Sequence, residues 1–487
     1  MIFTTLTFAV FLIIVFAAYW ILPRQSWRNG LIVIASYVFY GWWDWRFCGL
    51  MLATSLLDFA LGLAMGAAKR TPTRRLLLVF SLLSNLGCLG FFKYFNFFAE
   101  NFALAAGRFG WHPHWTTLNI VLPVGISFYT FQTLSYTIDV YRGALPATRR
   151  LIDYLAYVSF FPQLVAGPIE RATHLLPQFF VQRRFDPVAA RAGMRQMLWG
   201  CFKKMVIADN LARFVDPIYA DPAQAGGPLL ALATVGFAYQ IYCDFSGYSD
   251  IAVGCAKLFD FQIMRNFAYP YFSQSVTEFW RRWHISLATW FRDYLYIPLG
   301  GSRVSKPRAA FNVMATFILS GFWHGAAWNF IIWGAINGAA SLPRILWPPT
   351  LRRHPSDTPG GERNIPSLAT LARMLITFII ICAAWVFFRA HTFHDAVTVF
   401  RHIGSGIWSG EQWHALGQTF ADERSYIRTF VHVAILIVVE WCMRRHHHPL
   451  DFPDLARPWR WVIYTIVIWD ILYFGTGAAR PFIYFQF

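Results

Sequence analysis

Ala309 to Pro343 reads AAFNVMATFILSGFWHGAAWNFIIWGAINGAASLP, and these 35 residues contain no Asp, Glu, Lys or Arg. As one helix they would measure about 52 Å, against about 30 Å of hydrocarbon in a bilayer. The stretch therefore has to break, and Gly321, Gly325, Gly334 and Gly338 offer places for it. A run this apolar and this long belongs in a membrane. His324 is its one titratable side chain, set between Gly321 and Gly325. The glycines, four apart, clear one helical face for a ligand or for another backbone. An imidazole kept neutral by its apolar surroundings can act as a general base. A histidine that only packs, bonded to a neighbouring carbonyl, is an equally open reading.

The rest of the 487 residues agree with the membrane reading. Hydrophobic residues make up 56% and charged residues 14%, with 48 Phe and 22 Trp. Soluble proteins carry about 25% charge, and no soluble globule has the interior to hide so many rings. Disordered, fibrous and disulfide-scaffold classes are excluded, and the seven cysteines form no CxxC pair. The net charge of +17 fits cytoplasmic loops and anionic lipid, or a polyanionic ligand such as a CoA phosphate. No basic soluble module is left over to bind nucleic acid.

Outward from the central stretch, apolar runs cover 2–22, 31–43, 47–68, 76–92, 119–138, 151–166, 225–243, 374–388, 429–443 and 461 to about 477. Ten to twelve membrane segments are expected. Arg24 and Arg28 after the first run place the N-terminus outside, and Lys69 to Arg75 mark a cytoplasmic loop. Pro123 and Gly125 predict a broken or re-entrant helix at 119–138. Residues 183–213 read as an amphipathic helix at the interface, 344–373 as a cytoplasmic loop and 389–428 as an external loop.

A second constellation runs Glu278-Phe-Trp-Arg281-Arg282-Trp283-His284. Glu278 and Arg282 have ion-pair spacing on a helix. Arg281, Arg282 and His284 lie in a Trp-rich setting, which suits an interfacial belt of snorkelling cations or a wall that binds an anionic acyl carrier. The run from Tyr242 to Asp250 places Asp244 and Asp250 six apart, a poor spacing for a paired acid and base; a polar break at the end of a span is the favoured reading. His391 to Asp395 fits HxxxD, a pattern short enough to arise by chance. His446 to His448 reads as solvated, and His112 and His114 lack further ligands nearby. No metal site is expected. No GxSxG, GxxxxGK[ST] or GxGxxG motif occurs.

Residues 239–254 (YQIYCDFSGYSDIAVG), 266–301 (NFAYPYFSQSVTEFWRRWHISLATWFRDYLYIPLGG) and 318–329 (ILSGFWHGAAWN) resemble the membrane-bound O-acyltransferases, as do FYGWWDWRF at 39–47 and the ending from Pro481 to Phe487. The likeness is greatest to the bacterial branch that holds the alginate O-acetylation membrane subunit. It implies an all-α polytopic fold, a ring of tilted and re-entrant helices around a central funnel. It implies one transmembrane domain, with N-terminal helices 1–118, a catalytic core at about 119–343 and C-terminal helices 374–487. It implies His324 as the catalytic residue and His284 as the second active-site position. It implies acetyl-CoA as co-substrate with no resident cofactor, a periplasmic SGNH-type partner, an exported polysaccharide such as alginate as acceptor, and the bacterial inner membrane as location. Binding of donor or acceptor is expected of Arg281, Arg282, Trp283, Trp323, Asn329, Asp244, Lys203 and Lys204. The rival readings are a transporter or flippase for polysaccharide or lipid-linked sugar, a scaffold subunit whose histidines only pack, and, within the family, acyl transfer to peptidoglycan, cellulose or teichoic acid.

Overall fold

The computed structural model describes residues 1–111, 117–165, 167–347, 358–452, 455–475, 480 and 482–483. His112 and His114 lie outside the described residues, as does most of the ending from Pro481. The described residues form helices and no strand. They divide into two compact units, 1–193 with 252–264, and 194–251 with 265–487.

The first unit opens with α1 (Leu6–Ile21), α2 (Gln25–Asp44), α3 (Arg46–Ala67), α4 (Thr71–Leu89) and α5 (Phe95–Gly107). A widened π turn over Gly90–Tyr94 joins α4 to α5, so the apolar run 71–107 is continuous. Next comes α6 (Ile126–Arg142), and its start obeys the expected break. Gly125 stands at φ +76°, and a Cβ there would sit 2.7 Å from the Leu164 carbonyl oxygen. Only glycine fits a left-handed turn pressed against another backbone. Short helices follow: α7 (Leu151–Ser159), α8 (Phe161–Leu164) and α9 (Ala172–Leu175). Inside this unit Asp58 of α3 accepts hydrogen bonds from Ser81 Oγ (2.7 Å) and Asn85 Nδ2 (2.8 Å) of α4, and Thr133 of α6 donates to Asn85. Such bonds tie apolar helices together where no hydrophobic force distinguishes neighbour from lipid.

Two helices belong to both units, α10 (Pro187–Cys201) and, after α11 (Asp209–Ala220), the 32-residue α12 (Gly227–Leu258). The second unit continues with α13 (Val276–Arg282), α14 (Ile285–Phe291), α15 (Lys306–His324), α16 (Trp328–Ser341), α17 (Pro343–Leu346) and α18 (Leu368–Arg389). It closes with α19 (Phe393–Gly406), α20 (Gly410–Asp422), α21 (Ser425–Met443) and α22 (Arg457–Phe474).

Five helical runs among the described residues are long and apolar enough to cross a membrane alone: α3, α4 with α5, α12, α18 and α21. This multi-pass protein thus has, among the described residues, fewer self-sufficient spans than the ten to twelve membrane segments expected. The reason is visible in α6. Nearly all of it is buried, and it carries Ser127, Thr130, Gln132, Thr133, Ser135 and Thr137 against protein. Hydropathy passes over a helix such as α6, whose polar side chains are satisfied by protein.

Three local expectations change. The segment 389–428 is not a loop but the helices α19 and α20; Thr392 and Asp395 form a capping box that starts α19, so Asp395 serves the helix and not an HxxxD site. No break occurs at Tyr242 to Asp250, because α12 runs straight through. Gly247 lies where the Gly200 carbonyl comes within 2.8 Å of a would-be Cβ; the glycine serves a close helix crossing. His448 is buried, not solvated.

Candidate active site

The uncharged stretch breaks at Gly325-Ala326-Ala327, immediately after His324. α15 and α16 return on each other as an antiparallel hairpin. A Cβ on Gly321 would fall 2.1 Å from the Phe330 oxygen, and one on Gly334 would fall 2.4 Å from the Phe317 oxygen. Gly321 and Gly334 therefore admit a backbone, whereas Gly325 lies beyond the end of α15, off its helical face, and meets the Phe330 ring. His324 ends α15 and is 4% exposed. Three rings pack around its imidazole: Trp323 at 4.9 Å, Trp333 at 5.1 Å and Phe388 at 5.4 Å between centroids.

His284 stands at a second break, between α13 and α14, at φ +44°. It is 2% exposed, with its ring 4.6 Å from Phe245 and 6.2 Å from Trp323. Trp323 is thus in ring contact with both histidines.

Both imidazoles line one cavity of about 540 Å³. Lys306, Ala309, Val313, Phe317, Ser320 and His324 form its wall along α15 at intervals of three and four residues. The helix rises about 27 Å between the first and the last, close to the hydrocarbon thickness. Thr277, Trp280, Trp283, Leu287 and Phe291 form the facing wall. Arg281, Arg292, Lys306 and Arg344 also line the cavity, and none of its described lining residues is acidic. Lys306 donates to the Leu346 oxygen (3.3 Å), which brings the start of α15 and the end of α17 together. The cavity is mostly apolar within, cationic at the Lys306 end and carries an imidazole at the other.

This geometry sorts the residues singled out from sequence. His324, His284, Arg281 and Trp283 line the cavity, and Trp323 stands behind the two imidazoles. Five others are engaged elsewhere. Arg282 is buried and pairs with Glu278 (3.0 Å), as the helical spacing suggests. Asn329 donates to the Ala390 oxygen (2.9 Å) and ties α16 to the end of α18. Lys203 and Lys204 do not face water. Lys203 pairs with Asp250 (2.7 Å), and Lys204 pairs with both Asp209 (2.8 Å) and Asp244 (2.5 Å). Buried ammonium groups held by carboxylates have no charge to spare for a phosphate. Asp244 is the partner of Lys204, and its second oxygen accepts the Ile483 N–H (2.7 Å).

Arg292, Lys306 and Arg344 were not anticipated as lining residues. A signal for two of them exists. Arg344 borders the uncharged stretch at one end and Lys306 lies just before Arg308 at the other, and a stretch that must fold back brings its ends together.

Residues 144–384 match the membrane-bound O-acyltransferase family, and this range contains every residue that lines the cavity. Over 505 residues, the whole of both chains, the sequence is 36% identical to the probable alginate O-acetylase AlgI of Pseudomonas putida. The protein belongs to the membrane-bound O-acyltransferase family. It is 41% identical to the AlgI of Pseudomonas aeruginosa over 414 residues, 84% of this chain and 76% of that one. It is 30% identical to a peptidoglycan O-acetyltransferase of Helicobacter pylori over 535 residues, covering 99% and 97%. This O-acyltransferase therefore takes an acyl donor and a hydroxyl acceptor, and its resemblance over both histidine segments extends to the full chain.

Proposed function

We propose that the cavity is the donor channel of a membrane O-acetyltransferase, that acetyl-CoA enters at the cationic end, and that His324 is the general base. The observation that carries this is a single cavity that joins four cations to two buried imidazoles along the length of α15. The phosphates of CoA suit Arg281, Lys306 and Arg344, which replace Lys203 and Lys204 in that role, while Arg292 beside them is paired with Asp293 (2.6 Å). The pantetheine arm suits the apolar walls, and the thioester reaches the imidazoles. His324 takes the proton of the attacking hydroxyl as its oxygen bonds to the acetyl carbon. The carbon–sulfur bond then breaks, and the imidazolium returns that proton to the thiolate, so an ester and free CoA leave. His284 donates a hydrogen bond to the oxyanion or orients the donor. The acceptor hydroxyl belongs to an exported polysaccharide or to a periplasmic SGNH-type protein that completes the transfer. Alginate is the polymer of choice, since relatives aligned along the full chain carry that name. The location is the bacterial inner membrane with the N-terminus outside.

The test is release of CoA thiol from acetyl-CoA by purified protein given an alginate oligosaccharide. His324→Ala should cut turnover by about 10² to 10⁴, the usual worth of general-base catalysis. Lys306→Ala with Arg344→Ala should raise the acetyl-CoA KM by about tenfold with little change in kcat, the mark of lost ground-state binding. A His324→Ala protein of normal turnover refutes the assignment. A wild-type protein that leaves the thioester intact while moving sugar across vesicles refutes the enzyme reading in favour of transport.

A further inference from the structure

α13 and α14 are short helices separated by Trp283 and His284 alone. Nothing in FWRRWHISLA forbids one continuous helix. In such a helix the Ile285 and Ser286 N–H groups would donate to the Arg281 and Arg282 carbonyls. The observed partners differ. The Ile285 N–H donates to the Asn266 main-chain oxygen (2.9 Å), and the Arg282 oxygen accepts from the Ala268 N–H (3.0 Å). Asn266 Oδ1 accepts from the Ser286 N–H (3.2 Å) and the Ser286 hydroxyl (2.7 Å). Residues 266–268 thus take the bonds that would fuse the helices. His284 is left in a left-handed conformation, which crowds Cβ against the next carbonyl in any residue but glycine. Strain of this kind persists only where surrounding bonds over-determine it, and it collects at working sites.

We infer that Asn266 is a positioning residue for His284, holding the backbone break that turns this imidazole into the cavity. The inference rests on the cavity being the reaction site. The carboxamide has a defined orientation: Nδ2 donates to Ser249 Oγ of α12 (3.1 Å), so Oδ1 faces Ser286. Asn266 is 1% exposed, and its amide anchors the start of α14 to the long helix of the unit. Alanine would leave the Ser286 N–H and hydroxyl without this acceptor. Aspartate would keep the acceptor, and the Ser249 hydroxyl can turn to donate to it.

Two readouts test the clamp. In thioester turnover, Asn266→Ala should lower kcat by at least about tenfold with the acetyl-CoA KM within about twofold, since a small displacement of a reacting group costs rate before affinity. Asn266→Asp should restore most of the loss. In a His284→Ala background, Asn266→Ala should cost nothing further, whereas a merely structural residue would lower both backgrounds by the same factor. The second readout needs no donor. Diethyl pyrocarbonate labelling of His284 relative to His324, read by peptide mass spectrometry, should change in Asn266→Ala and return in Asn266→Asp. If Asn266→Ala does not fold, Ser249→Ala frees the same amide and should move the same ratio. An unchanged labelling ratio, or equal losses in both backgrounds, overturns the inference. Wild-type protein that cleaves no acetyl-CoA would sink the donor reading while the labelling ratio still decides the clamp.

Discussion

Lys204 shows how far a residue's company governs its meaning. It is 1% exposed and touches two carboxylates, Asp209 and Asp244, so its ammonium is the hub of a buried triad. Asp244 in turn accepts the Ile483 N–H. Replacing Lys204 by methionine keeps the volume of the stem but leaves two buried carboxylates facing each other. Removal of one member of a buried ion pair costs about 3 to 5 kcal/mol. Lys204→Met should therefore unfold at a markedly lower temperature in detergent, while the folded fraction keeps its acetyl-CoA KM. A raised KM at unchanged thermal stability would return Lys204 to the donor site. Sequence alone does not show this, because the polar face of an amphipathic pattern looks the same whether it meets water or an acid such as Asp244, about forty residues away on α12. His324 was legible for the opposite reason. It is alone in 35 uncharged positions, and no pairing hidden in the fold could change that solitude in the sequence.

At the scale of elements, the hairpin of α15 and α16 does the most for the site. Its fold-back was legible from length alone, since about 52 Å of helix cannot cross about 30 Å of hydrocarbon once. Its consequences were less so. The turn places His324 at one end of the cavity wall, and the same turn gathers Lys306 and Arg344 at the other. Weighed singly as markers of topology, those cations say nothing of each other; only the fold-back makes them neighbours. The contact between the two helices has no slack. A side chain on Gly321 would meet the Phe330 carbonyl oxygen at 2.1 Å, and backbone cannot step aside as a flexible side chain can. Gly321→Val should push the helices apart and displace His324 from Trp333 of α16 and Phe388 of α18, with loss of folded yield and of turnover together. Gly404→Ala, where nothing lies within 4 Å, is the matched control and should change neither. A Gly321→Val protein with wild-type turnover would show that the hairpin tolerates separation, and that its close packing does not hold the imidazole.

At the scale of the molecule, residues far apart in sequence finish the wall behind His284. Phe482 is fully buried and packs against Phe245 (5.2 Å) and Tyr248 (5.0 Å) of α12, and Phe245 is in turn in ring contact with His284 (4.6 Å). Arg480 pairs with Asp216 (2.9 Å), which also holds Arg389 from α18 (3.1 Å). The sequence ending could be seen to resemble its family, but nothing in its composition shows what it touches, because the contact spans about 240 positions. Long-range contacts of this kind form late, since the entropy of closing so long a loop must be overcome first. The second unit therefore completes its packing around α12 only with Phe482 and Ile483 in place. Truncation of a buried Phe costs about 3 to 5 kcal/mol. Phe482→Ala should lower the unfolding temperature and, by loosening Phe245, reduce turnover more than it changes the acetyl-CoA KM. Phe482→Leu, which fills much of the same volume, should recover most of both. Should Phe482→Ala lose stability while kcat stays at the wild-type value, Phe482 would be a fastening for α12 with no reach to His284, and the chain of ring contacts through Phe245 would carry no catalytic consequence.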